Sequence, residues 1–198
     1  MKRIIYIIGI TIVLQGLSGC DALFNTRAVE PPEQTSGGQW QPPTTPEQVL
    51  TNMENAVLER NADNFIRCLS DSTAGEKPYE FIPDDETNAT YSQIFQDWHL
   101  EDEKRVFQEM DKNVPRDSLF QLSFAEDAEK FETTDSARIE ILYTLRVHHT
   151  LENLPRDVRG RALFTFSRNE SQRNWVLHRW KDFREENAPS WSRLKAGF

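Results

Sequence analysis

The chain has 198 residues, with 32 acidic against 23 basic side chains, a net charge of −9 and a pI near 5.0. That balance excludes the basic footprint a nucleic-acid partner requires. Two cysteines, at positions 20 and 68, exclude a scaffold stapled by several disulfides.

Lys2 and Arg3 precede "IIYIIGITIVL", an apolar run of about a dozen residues, where a spanning helix needs roughly 20. A short positive region before a short apolar run is the layout of an export signal. "LSGC", residues 17–20, closes it. This stretch resembles the lipobox of bacterial lipoproteins. The resemblance implies that the Cys20 thiol receives a diacylglyceryl group, that a peptidase cuts between Gly19 and Cys20, and that the new amino terminus is acylated. Residues 1–19 are then a signal peptide, and palmitate-type chains on Cys20 hold the protein on the lipid bilayer of the bacterial cell envelope. Two or more chains anchor stably, at about 0.8 kcal/mol per buried CH₂. Asp21 resembles an inner-membrane retention signal of enterobacteria, a rule that does not transfer between bacteria, so inner and outer membrane both stay open. Losing Lys2 and Arg3 lowers the net charge to −11 and leaves Cys68 with no intramolecular disulfide partner. "NFIRCLS" around Cys68 is apolar-periodic and predicts a buried, inert thiol.

Residues 20–44 hold four prolines, a Gly-Gly pair and no periodicity, which predicts a flexible tether spanning on the order of 25–30 Å. The folded part is expected at 45–185. Thr45, Pro46 and Gln48 read as helix cap, first-turn proline and capping-box partner, and Val49, Leu50, Met53, Val57 and Leu58 as its apolar stripe. Asn61 and Asp63 break that helix and restart a short one over "NFIRCLS". "PYEFIPDDETNA" reads as irregular, with a short strand around 79–82. "YSQIFQDWHLEDEKRVFQEMDK" reads as one helix with Ile94, Phe95, Trp98, Val106, Phe107 and Met110 on its apolar face and its acidic residues in solvent. After Pro115 the period becomes two. Phe120, Leu122 and Phe124 alternate, then Ile139, Ile141, Tyr143, Leu145 and Val147, followed by the strands "GRALFTFSR" and "NWVLHRWKDF" joined by a hairpin loop. Helices followed by an antiparallel meander predict an α+β fold.

The order of these elements, with "AVLERNADNFIRCLSD" at the start and "NWVLHRW" at the end, resembles the cone-shaped fold of nuclear transport factor two, ketosteroid isomerase and scytalone dehydratase. The resemblance implies N-terminal helices packed on a curved antiparallel sheet over residues 45–185. It also implies that any enzyme of this kind carries a carboxylate or His in the mouth of the cone. Residues 186–198, "ENAPSWSRLKAGF", lie beyond the usual end. Trp191, Leu194 and Phe198 share a helical stripe there, which predicts a tail docked on the domain, with a partner-binding segment as the rival reading.

Few residues could carry chemistry. His148 and His149 are adjacent on a strand and face opposite sides, and His99 falls on a helix exterior. His178 and Asp182 are four apart on the last strand and share a face if no bulge intervenes, as a base and its orienter would. The alternative is a surface ion pair. Tyr143, Phe164, Trp175 and Trp180 would line the concave face, either as a filled core or as an apolar pocket for a small amphipathic ligand. The filled cone is the expectation for Tyr143, and partial exposure the expectation for Trp180. No phosphate loop, nucleophile elbow or metal-ligand spacing occurs, so no metal and no cofactor is expected. Three functions stay open: an envelope lipoprotein with a non-catalytic protein- or ligand-binding domain, a homodimeric structural module pairing through Leu142, Leu163 and Val176 on the outer sheet face, and an isomerase- or dehydratase-type enzyme. The lack of a complete acid–base set favours the first.

Overall fold

A computed structural model describes residues 38–168 and 173–198, within one unit spanning residues 36–198. Cys20 and the signal peptide lie outside the described residues.

Helix α1, Pro46–Leu58, begins as its sequence predicts. Thr45 accepts from the Gln48 N–H at 3.2 Å, and Pro46 occupies the first turn, where its missing N–H costs nothing. The reciprocal half of the capping box is not made: the Gln48 amide turns instead to Asn52, at 3.3 Å. Val49, Leu50, Met53 and Val57 are buried, but Leu58 is 64% exposed. The helix ends there, and Arg60 takes a left-handed backbone (φ 57°) that turns the chain. The Arg60 guanidinium then donates to the carbonyls of Val114, Pro115 and Ser118, which fixes the approach to the sheet. Asn61 caps α2, Ala62–Arg67, through the Asn64 N–H at 3.0 Å. Cys68 closes this turn, fully buried, with its thiol donating to the Asn64 carbonyl at 3.4 Å. Burial pushes the thiol far above its ordinary pKa.

Strand β1, Glu80–Ile82, is the short strand expected around 79–82. The single long helix expected next is two: α3, Asp85–Phe95, and α4, Leu100–Asn113. Local capping separates them: Asp102 accepts from the His99 N–H at 3.0 Å, satisfying a donor that a continuous helix would bond along its axis. Asp84 starts α3, accepting from the Glu86 and Thr87 N–H groups at 3.1 and 3.0 Å. Phe95, Trp98, Val106, Phe107 and Met110 are buried as expected, while Ile94 is exposed.

Four long strands follow: β2, Phe120–Glu132; β3, Ser136–Val147; β4, Asp157–Arg168; and β5, Trp175–Arg184. They form a curved sheet in the order β1-β5-β4-β3-β2, antiparallel except for β1 against β5. Bulges after Phe124 in β2 and between Leu177 and Arg179 in β5 interrupt the ladder and bend the strands. On β3, Ile139, Ile141, Tyr143, Leu145 and Val147 face the helices and are buried, as the period-two pattern predicts. Helix α5, Trp191–Lys195, closes the described chain.

The packed unit begins before Thr45. Within the stretch read as tether, Gln41 exchanges backbone bonds with the buried Asn52 side chain, at 2.7 and 3.2 Å. The Pro43 carbonyl accepts from the Trp175 N–H at 2.8 Å, and the Arg67 guanidinium lies 4.1 Å over the Trp40 ring. Among the described residues no helix is long and apolar enough to cross a membrane.

Candidate functional site

The concave side of the sheet is filled. Tyr143, Phe164, Trp175 and Trp180 are all buried, and Trp180, expected at partial exposure, has none. The Trp180 ring meets Phe164 at 5.2 Å, Phe81 at 5.4 Å and Trp191 at 4.5 Å, each edge to face, the arrangement aromatic quadrupoles favour. The residue expected to open onto solvent is the one the tail covers.

His178 and Asp182 do not form a pair. Thr165 is opposite Arg179 and Phe166 is opposite Leu177, so His178 is the extra residue of the β5 bulge. The slip resets the alternation. Leu177, Trp180 and Asp182 are buried, while His178 is half-buried beside Lys77 and Arg179. Burial, with those two cations, holds the His178 imidazole below its usual pKa. His148 and His149 lie just past the end of β3, His149 buried against Phe198 and His148 beside Asp157.

Asp182 instead joins a network closed by the tail. One carboxylate oxygen accepts from the Tyr143 hydroxyl at 2.7 Å. The other accepts from the backbone N–H and hydroxyl of Ser192, at 2.8 and 2.5 Å. Tyr143 in turn accepts from the Trp191 N–H at 2.8 Å. Gly160 on β4 makes room for the phenol, since a Cβ there would lie 2.5 Å from the Tyr143 hydroxyl and 2.5 Å from the Phe183 carbonyl. Nearby, Asp84 accepts from the Ser190 hydroxyl at 2.5 Å and donates its N–H to Ser192 at 3.0 Å. Burial holds the Asp182 carboxyl above the ordinary range, against the hydrogen bonds of Ser192 and Tyr143 and the charge of Lys195.

A second cluster lies alongside. Glu103 on α4, expected in solvent with the other acids of that helix, is 2% exposed and bonds Lys195 of α5, itself 1% exposed, at 2.5 Å. The same Glu103 oxygen accepts from the Tyr79 hydroxyl and the Trp98 indole N–H, both at 2.8 Å. The sequence held one signal for this pair. Glu103 sits in register with Val106, Phe107 and Met110, and Lys195 in register with Trp191 and Leu194. A charge therefore interrupts each apolar stripe, and the two charges are opposite.

A groove of about 990 Å³ runs between the β2 bulge, strands β3 and β4, and the 185–189 loop. Its lining includes Leu142, Arg146, Arg159 and Gly160, and Tyr143 is the one member of the aromatic set that reaches it. On the outer face Leu142 is 48% exposed and Leu163 is half-buried, but Val176, expected there as an exposed apolar residue, is buried. Among the described residues no cluster of three or more His, Cys, Asp or Glu could hold a metal ion.

No protein-family model matches the chain, and no curated protein does. Solved structures do. A provisionally assigned aromatic ring hydroxylase from Novosphingobium aromaticivorans is similar over 75% of this chain and 92% of its own, at 12% identity and a TM-score of 0.51. A protein from Kribbella flavida is similar over 76% and 93%, at 12% identity and a TM-score of 0.50. A nuclear-transport-factor-two-like protein from Cytophaga hutchinsonii aligns over 70% and 94%, at 11% identity and a TM-score of 0.49. The chain has a nuclear-transport-factor-two-like α+β fold, with a curved five-stranded sheet that does not close into a barrel. Fold alone assigns no chemistry.

Proposed function

We propose that this protein is a bacterial cell-envelope lipoprotein, anchored through acyl chains on Cys20, whose cone domain is a non-catalytic binding module. The observation that carries the non-catalytic reading is the environment of Asp182. A general base must come within hydrogen-bond reach of a substrate proton. Both Asp182 oxygens are engaged by Tyr143 and Ser192, the residue is fully buried, and His178 is turned away from it by the bulge. The anchor rests on the charge, length and "LSGC" layout of the first 20 residues. The test is metabolic labelling with a fatty-acid analogue. The wild-type chain takes up label, and Cys20→Ser takes up none and keeps its signal peptide. Label retained on the Ser variant removes the anchor.

A homodimeric module is the second reading, favoured by Leu142 at 48% exposure and Phe131 at 68%, opposite Arg138 on the same outer face. Sedimentation of the exported chain tests it: a dimer that Leu142→Arg converts to monomer supports pairing through this face, and a monomeric wild type rejects it.

A further inference from the structure

Three tail side chains donate to three carboxylates of the body. Ser190, Ser192 and Lys195 supply donors, and Asp84, Asp182 and Glu103 receive them. The Lys195 site is the most built of the three. Its ammonium lies 3.5 Å from the centroid of the Phe81 ring, 4.2 Å from Trp180, 5.6 Å from Trp98 and 5.7 Å from Trp191. Aromatic faces attract a cation within about 6 Å, most strongly where water is excluded. The carboxylate opposite is positioned independently of the lysine, because Tyr79 and Trp98 both donate to the oxygen that Lys195 uses.

A plug needs none of this. A buried ion pair gives up most of its attraction to desolvation, and apolar residues of the same volume commonly do as well. Leu194 in the same helix is fully buried without any charge. Burial pulls the Lys195 ammonium below its usual pKa, and Glu103 and Asp182 oppose that pull. Three aromatic rings around a pre-oriented carboxylate make up the chemistry that selects an ammonium group.

We propose that Glu103 with the rings of Phe81, Trp98 and Trp180 is a binding site for a primary alkylammonium, filled in this structure by the chain's own Lys195. The inference rests on the reading of the cone as a binding module and gives that module a ligand class. Lys195 is then a tethered ligand. Tethering raises its effective concentration into the millimolar range or above, so an external amine competes at high concentration or when the segment lifts. The segment joins β5 through 185–190, which forms no helix or strand and contains Glu186 at a positive φ of 32°.

The experiment empties the site and offers amines to it. Lys195→Ala in the full chain is melted in the presence of n-butylammonium chloride, n-butanol, sodium butyrate or sodium chloride. Butylammonium raises the midpoint, and above half-saturation each tenfold increase adds a constant increment, as one-site linkage requires. The other three solutes leave the midpoint where they leave that of the wild type, and adding Glu103→Gln abolishes the effect. If Lys195→Ala does not fold alone, recovery of native tryptophan fluorescence on refolding with each solute is the readout. In the unaltered chain, butylammonium at about a hundredfold above the variant's half-saturation accelerates amide exchange over residues 191–198, and sodium butyrate does not. A parallel titration with Nα-acetyl-lysine amide separates carriers: rescue by butylammonium alone assigns a free amine, and rescue by both assigns the ammonium whatever carries it. Equal rescue by butanol, no rescue by butylammonium, or unchanged exchange in the unaltered chain overturns the proposal. None of these readouts involves Cys20 or a membrane, so failure of the anchor leaves them intact.

Discussion

The Tyr143 hydroxyl donates to Asp182 across 2.7 Å inside the filled cone, joining the middle of β3 to the end of β5. The same oxygen accepts from the Trp191 N–H, so one phenol links two strands and the tail. Tyr143→Phe removes a donor to a buried carboxylate and strands a backbone N–H. The expected loss is about 1.5–3 kcal/mol, the range for hydrogen bonds to charged groups. Urea denaturation measures it. A change within experimental error would show that the phenol meets solvent and that the cone is open.

Gly160 is required by that same phenol. Gly160→Ala drives a methyl group into the Tyr143 hydroxyl and the Phe183 carbonyl, and overpacking of this kind costs about 1–3 kcal/mol. Combined with Tyr143→Phe, part of the clash disappears, so the double variant should be more stable than the sum of the two single losses implies. Strict additivity in the cycle would mean that the Phe183 carbonyl alone sets the cost.

The N-terminal boundary is a third prediction. A chain beginning at Thr44 loses Gln41, which strands the amide NH₂ of the buried Asn52, and loses the Pro43 carbonyl that accepts from Trp175. Leaving a buried polar group unpaired costs about 1–3 kcal/mol. Thermal unfolding should therefore show a midpoint several degrees lower than that of the chain beginning at residue 38, roughly 4 °C or less per kcal/mol for a domain near this size. Identical midpoints would return residues 38–43 to the tether.

A fourth concerns pH. Burial raises the Asp182 pKa in the folded state. The proton is bound more tightly when folded, so the associated stability is complete below the unfolded value, about 3.9. It is lost as pH rises through the folded value. Relative to Asp182→Asn, the wild type should therefore lose stability as pH climbs from about 4 through the folded pKa, and the difference should level off above it. Glu54, also raised by burial, is common to both chains and cancels. Urea midpoints of the two proteins across the acid range decide it. A difference that instead grew with pH would mean that hydrogen bonding outweighs burial at this carboxylate.

Most of the secondary structure was legible in the sequence because it follows from local chemistry. Thr45 and Pro46 start α1, Asn61 restarts the chain, and the alternation from Ile139 to Val147 matches a strand with one buried face. The order of these elements was enough to suggest the cone. Trp191 and Leu194, read as sharing a helical stripe, are both buried.

Tertiary structure alone decided the site. One extra residue in β5 separates His178 from Asp182, and a bulge leaves no periodic trace because it breaks the period it would be read from. Glu103 reads as a solvated acid by composition. It is buried because Lys195, 92 positions away, supplies the opposite charge, and Tyr79 and Trp98 supply its hydrogen bonds. Trp180 loses all exposure for the same reason: what covers it is Trp191 from beyond the end of the sheet. Caps, turns and periodicities are set by neighbours a few residues apart, so the sequence determined the elements and their order. The filling of the cone and the chemistry of its mouth depend on which distant charges and rings arrive together, and only the packed chain decides that.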